Sequence, residues 1–313
     1  MSNTRHQRPM TISGFTFVRN AEKLYFPIKE SILSVLPLVD EFVVALGNCD
    51  ADDHTEALIA AIGSPKIKIV RRVWDKAAFV DGKIYRDETN FALSLCKGDW
   101  CLYIQADEVL HEQDLKKIKN ACQNHLTNPN VEGFLFDYKH FWGDYDHCLQ
   151  SHCWYKHDIR LVRNHIGVQS IKDAQSFRHT SGKKLNVLSI DAAVYHYGWV
   201  RPPQRMQTKK HEQDKVYWGK QKADRHYQKL AQNFDYGDLN QVDLFAGTHP
   251  KVMAGFMAKM DWHAELNFGT QALRRPKMKH ERFKYRFISW IERHFFGQKS
   301  LFGYKNWHLL RKK

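Results

Sequence analysis

Residues 98–110 read GDWCLYIQADEVL, and two adjacent carboxylates, Asp107 and Glu108, follow closely on a short apolar run. Trp100 to Ile104 has the aromatic and β-branched bias of a buried strand. Burying an ionised carboxylate is costly unless it is paired, hydrogen-bonded or bound to a cation. At the end of such a strand the two carboxylates have therefore either reached water or carry something positive. Other polar groups follow apolar runs in the same way: Arg19-Asn20 after residues 11–18, and the acidic loop with Asp50, Asp52 and Asp53 after residues 41–46. Carboxylates placed like this can hold a divalent cation. They can equally cap a helix, where negative charge is favoured at the N-terminus, or line a solvated turn.

The elements that must position these residues alternate. Residues 11–18 read as a strand and 26–36 as a helix stopped by Pro37; 41–46 form a second strand, and a polar loop opens a helix running to Ile62. A third strand over 66–73, a helix over 87–96, the strand 100–104 and a helix over 108–120 follow. This pattern predicts an α/β fold with a mostly parallel central sheet and helices on both faces. Such sheets take ligands beyond the carboxyl ends of their strands. Gln105, Asp107 and Glu108, Arg19-Asn20 and the acidic loop all belong to that edge. Farther on the order is α+β, with strands over 132–141, 159–162 and 189–197, and residues 142–158 are rich in Trp, Tyr and His. Residues 206–229 read as helical and 233–250 as irregular. The spacing of His and Cys over 147–157 is not that of a structural zinc site. The division expected is a tail over 1–10, an alternating α/β half over 11–125, an α+β half over 126–205, a helical and irregular extension over 206–273, and a basic aromatic tail over 274–313.

FTFVRNAE after the first strand, DDHT closing the acidic loop, GDWCLYIQADEVL, and more loosely IRLVRN and VYHYGW, resemble the family 2 glycosyltransferases of the GT-A fold. The resemblance covers residues 11–115 well, 130–200 loosely and nothing beyond 205. It implies an enzyme that moves a sugar, of hexosyl type, from a nucleotide-sugar donor to a hydroxyl of a glycan or lipid-linked acceptor, with inversion. Asp107 falls on the family's metal-binding aspartate, and His196 resembles the histidine that completes the site, for Mn²⁺ or Mg²⁺. Gln105 replaces the first aspartate of the family's D-x-D and brings no charge. Asp50, Asp52 or Asp53 would meet the base or ribose, and Arg19 with Asn20 the nucleotide. Arg160, Arg201, Lys209 and Lys210 would lie on the diphosphate side. An inverting transfer needs a base to take the acceptor's proton; Asp173 is the first choice and Asp158 the second.

The net charge of +14 is concentrated at the end: residues 274–313 hold 13 Lys and Arg against two Glu. Over 280–296 a helix would carry Arg282, Arg286, Ser289 and Arg293 on one stripe and Phe283, Phe287, Trp290, Ile291 and His294 near another. That pattern suits an interfacial helix drawn to anionic lipid, or else a helix docked on the body with solvated cations. The start MSNTRHQRPM has no apolar signal core and no run is long enough to span a bilayer, so the expected location is cytoplasmic, peripheral on the inner face of the membrane. The six cysteines lack a C-x-x-C spacing and read as free thiols. Two other functions fit less well: a nucleotidyltransferase acting on a sugar phosphate, disfavoured by the lack of a Gly-rich phosphate loop near the N-terminus, and a nucleic-acid-binding protein, suggested by the basic tail and disfavoured by the near-neutral body.

Overall fold

The computed structural model describes residues 9–75, 79–269, 271–297, 301, 303 and 305–311. Of the two expected tails, residues 1–8 and residues 298–300, 302, 304, 312 and 313 lie outside these. The chain runs β1 (Ile12–Val18), α1 (Ile28–Val35), β2 (Glu41–Gly47), α2 (Thr55–Ala60), β3 (Ile67–Arg72), α3 (Lys83–Ser94), β4 (Trp100–Tyr103) and β5 (Glu108–Leu110). It continues through α4 (Leu115–Asn124), β6 (Gly133–Trp142), β7 (His147–Leu149), β8 (His157–Arg163), β9 (Val168–Ile171), β10 (Ser176–His179) and β11 (Leu185–Trp199). The last part holds α5 (Pro203–Trp218), α6 (Lys220–Tyr227), β12 (Asp243–Leu244), α7 (Ala254–Met257), α8 (Phe283–Phe295) and β13 (Trp307–Leu309).

One sheet of 11 strands carries the molecule, in the order β12-β7-β6-β8-β4-β1-β2-β3, with β11 joining β6, β5 and β13. β3, β2, β1 and β4 are mutually parallel. β8 then runs antiparallel between β4 and β6. This is the α/β architecture expected from the sequence, a central sheet with a parallel part and helices packed on it. β1, β2 and β4 are buried on both faces, whereas the edge strand β3 is partly exposed and alternates apolar with charged residues. In β2, Phe42, Val44 and Leu46 on one face belong to the same apolar core as Ile28, Ile32 and Val35 of α1. Val43 and Ala45 meet Ala92 and Leu93 of α3 on the other.

Three expectations change. Residues 108–110 do not begin a helix: they are β5, paired antiparallel with β11, and the helix starts at Leu115. Pairing with a distant strand outweighs local helical preference here. The helix expected over 206–229 is broken at Gly219, whose φ of 82° no helix can accommodate. In the tail, α8 turns much of its polar stripe inward. Ser289 accepts the His152 N–H at 2.8 Å, Arg293 pairs with Asp243, and Glu292, fully buried, takes His152 Nδ1 at 2.6 Å and Lys156 Nζ at 2.8 Å.

Candidate active site

The two carboxylates of the opening stretch part company. Glu108 is fully buried beneath the sheet edge. It receives Arg160 Nη2 at 2.8 Å, Tyr138 Oη at 2.7 Å and the Gln105 N–H at 3.0 Å. Removing one partner of such a buried pair costs about 3–5 kcal/mol, so Glu108 and Arg160 serve the frame. Asp107 points the other way, into a cavity of about 460 Å³ at the carboxyl ends of β1 and β4.

β-Sheet register brings His196 to Asp107. β5 and β11 pair with His196 opposite Glu108, and the Tyr197 N–H binds the Asp107 carbonyl at 2.8 Å. His196 Nε2 then lies 3.7 Å from Asp107 Oδ2, too far for a good hydrogen bond and suitable for two ligands of one cation. The proton positions follow from the partners. His140 Nε2 lies 2.7 Å from the Tyr155 carbonyl oxygen and must donate. Burial holds the His140 pKa well below the ordinary histidine value, so its Nδ1 is an acceptor. His196 Nδ1, 3.0 Å away, is therefore the donor, and His196 Nε2 presents its lone pair toward Asp107. Burial raises the Asp107 pKa, and the positive charges of Lys209 and Arg201 act against that rise. Gly198 keeps the gap open: a Cβ there would sit 2.5 Å from His196 Nε2 and 2.6 Å from Asp107 Oδ2.

An imidazole nitrogen and a carboxylate suit Mn²⁺, or Mg²⁺ with the nitrogen as a less fitting partner. Among the described residues no group of three or more His, Cys, Asp or Glu converges on one point. Asp107 and His196 are the two side chains that could hold such an ion, whose other positions would fall to water or substrate oxygens.

Other expected residues divide. Asp173 lines the cavity from the tip of the β9–β10 hairpin, where Lys172 (φ 54°) and Ala174 (φ 64°) on either side of it are both left-handed. Such strain in residues with a Cβ persists only where the surroundings enforce it. Tyr217 donates its hydroxyl to Asp173 Oδ2. Lys209 lines the cavity with its ammonium on the Gly198 carbonyl at 3.1 Å; burial, reinforced by Arg201, lowers its pKa to about 7. Arg19 also lines it, held by Asp50 at 2.8 Å. Gln105 is there too, its amide on the Tyr103 hydroxyl at 3.2 Å.

The remaining expected residues, Arg160 apart, are not among the side chains that line the cavity. Asp50 and Asp52 pair with Lys23, and Asp53 takes the Lys23 and Thr55 N–H groups, so the acidic loop orders the backbone around Arg19. Asn20, buried with φ 54°, accepts the Asp50 N–H at 2.8 Å. Arg201 is buried and binds the Leu24 and Gly198 carbonyls. Lys210 lies over Trp199, 5.4 Å from the ring centroid. Asp158 sits beside Arg160 at 3.3 Å, and burial pushes its pKa up to about 6. Arg160 does touch the cavity, but its guanidinium is committed to Glu108, Asp158 and the Ile159 and Gln175 carbonyls.

Sequence reasoning missed His140 and Gly198, as well as the aromatic walls. Phe17 stacks on Tyr85 with centroids 5.5 Å apart, and Trp74 meets both at 6.0 Å. Trp154 and Trp199, 5.7 Å apart, form another wall. Trp74 stands just after a strand, which was a usable signal; the others depend on register.

No family model and no curated relative matches the chain. Similar solved structures include TarS of S. aureus in complex with UDP-GlcNAc, at 21% identity and a TM-score of 0.29, covering 42% of this chain and 35% of that one. A further TarS structure gives 15% identity and a TM-score of 0.37 over 70% and 72% of the two chains. Glucosyl-3-phosphoglycerate synthase of Mycobacterium tuberculosis, in complex with Mn²⁺, UDP and phosphoglyceric acid, gives 23% and 0.28 over 42% and 43%. The chain thus spans about a third of the first of these structures. At such scores the likeness says nothing about which reaction this chain performs.

Proposed function

We propose that this chain is a glycosyltransferase that moves a sugar from a nucleotide-sugar donor to a hydroxyl of a glycan or lipid-linked acceptor, with inversion. The observation that carries this reading is the Asp107 carboxylate and the His196 Nε2 lone pair, 3.7 Å apart, facing one cavity at the carboxyl edge of a parallel sheet. Asp107 and His196 would hold Mn²⁺ or Mg²⁺, which when bound grips the donor diphosphate and offsets charge on the leaving nucleoside diphosphate. Arg19 adds fixed positive charge to the same cavity, and Lys209 adds an amine that is charged below about pH 7. Phe17, Trp74 and Tyr85 offer ring faces to the nucleoside base, and Trp154 and Trp199 offer them to the sugar or acceptor.

Asp173 takes the proton of the acceptor hydroxyl as that oxygen bonds to the anomeric carbon and the bond from that carbon to the diphosphate oxygen breaks. A carboxylate fixed by Tyr217 on a rigid hairpin tip suits this task. The test is a thermal-shift panel of nucleoside diphosphates, nucleotide sugars and nucleoside triphosphates with and without Mn²⁺, followed by product analysis. A ligand at 100 times its dissociation constant adds about 2.7 kcal/mol of stability. Stabilisation by nucleotide sugars with Mn²⁺ and release of a nucleoside diphosphate is the expected result. Release of pyrophosphate from a nucleoside triphosphate and a sugar phosphate would make the chain a nucleotidyltransferase instead.

A further inference from the structure

α8 is amphipathic in the inverted sense. The face that meets the body is polar: buried Glu292 binds His152 and Lys156, and Ser289 binds the His152 backbone. The face that meets solvent is aromatic. Phe283 is 82% exposed, Phe287 51% and Trp290 49%. They stack on one another in series, with centroids 6.1 and 6.2 Å apart, and His294 lies 4.8 Å beyond Trp290. Positions 283, 287, 290 and 294 follow one helical stripe, so the rings form a convex ridge roughly 16 Å long at 1.5 Å per residue. Cations border it. Arg282 and Lys284 have no carboxylate partner among the described residues, and Arg286 binds the neutral amide of Gln241 at 2.8 Å.

We infer that this ridge docks on an anionic lipid surface, with Phe283, Phe287 and Trp290 entering the interface and Arg282, Lys284 and Arg286 meeting the headgroups. A second copy of the chain fits poorly, because a two-fold contact through the ridge would oppose the same cations. A protein partner fits less well too: the three rings offer roughly 300 Å², short of the roughly 800 Å² per side of a stable protein interface. A bilayer needs no matching groove and rewards rings and cations together. The arrangement also reaches the cavity. Glu292 clamps residues 152 and 156, and Trp154 and Tyr155 between them line the cavity. The docking does not depend on which reaction the cavity performs.

The test is co-sedimentation of the intact protein with phosphatidylcholine vesicles with and without phosphatidylserine, at low and high salt. Binding is expected with phosphatidylserine and should weaken as salt rises. Each ring removed should lower partitioning about tenfold, so a Phe283→Ser/Phe287→Ser double variant should bind about 100-fold less while melting like the parent. Arg282→Glu/Lys284→Glu should remove the preference for phosphatidylserine. Brominated lipid should quench fluorescence in the parent and not in Trp290→Phe. Failure of the intact protein to bind at low salt would overturn the inference, as would unchanged binding by the double serine variant. A dimer that Phe287→Ser dissolves and vesicles do not compete away would overturn it in favour of self-association.

Discussion

Gly198→Ala tests the metal reading without touching either ligand. The new Cβ would stand 2.5 Å from His196 Nε2 and 2.6 Å from Asp107 Oδ2. Carbon needs roughly 3.3 Å from either atom, so each ligand must retreat by about 0.7 Å, whereas a metal site tolerates about 0.2 Å. The added methyl also lies where a shared cation would. Changing a residue that only orients a metal's ligands costs about 10–100-fold in affinity, and this change acts on the ligands directly, so a loss of at least about 100-fold, or about 2.7 kcal/mol, is expected. The φ of Gly198 is outside the left-handed region, so alanine brings no backbone penalty. The strain falls on two side chains facing a cavity, and the fold should survive. Mn²⁺ would be titrated by electron paramagnetic resonance with and without a nucleoside diphosphate, beside a melting curve of the metal-free protein. Parental Mn²⁺ affinity in the Gly198→Ala protein, with the parental melting curve, would refute the assignment of Asp107 and His196 as ligands of one ion.

Other outcomes follow from the same geometry. Replacing His140 with Phe removes the acceptor that fixes His196 Nδ1 as the donor, so Mn²⁺ affinity should fall 10–100-fold, with ¹⁵N shifts of the His196 ring reporting a mixed tautomer; an unchanged spectrum would remove His140 from that role. Asp173→Asn should lower turnover by about 10²–10⁴-fold while donor binding, read by thermal shift, stays near normal; equal losses in both would return Asp173 to the frame. His280 is held near pKa 4 by burial against Trp142, below its ordinary 6.5. As pH falls the unfolded chain takes that proton first, so stability is whole above pH 6.5 and is lost progressively toward pH 4, on the order of 3 kcal/mol in all. Urea melts at pH 7 and 4.5 should show His280→Phe losing less stability than the parent between those values.

Much of the scaffold was legible because β1, β2 and β4 are buried on both faces and so read as largely apolar runs. Asp107 was legible for a related reason: a carboxylate ending such a run needs a partner, and the strand's end is where the ligand edge lies. Asp173 stood out only by type and position. What the sequence hid was set by register between segments far apart in the chain. Arg160 read as a free cation until β8 aligned beside β4 and β6 and placed it on Glu108. His140 gained meaning only when β6 and β11 put it opposite His196. The contacts of the acidic loop are local and were equally hidden: Asp50 and Asp53 bind Lys23 and the nearby backbone. Periodicity found the two stripes of α8 and could not say which one faces out.

The carboxylate of Glu292 has a practical consequence for anyone shortening this chain. It is the counter-charge for Lys156 and a partner of His152, more than 130 positions earlier, and it is wholly enclosed. A protein cut before residue 283 therefore loses more than an appendage: Lys156 must find new solvation, and the strip bearing Trp154 and Tyr155 loses its anchor. Point changes on the outer rings leave that charge balance intact, whereas deletion confounds loss of the surface with loosening of a cavity wall. Fusion partners and affinity tags added at the C-terminus likewise act on an element that belongs to the folded body.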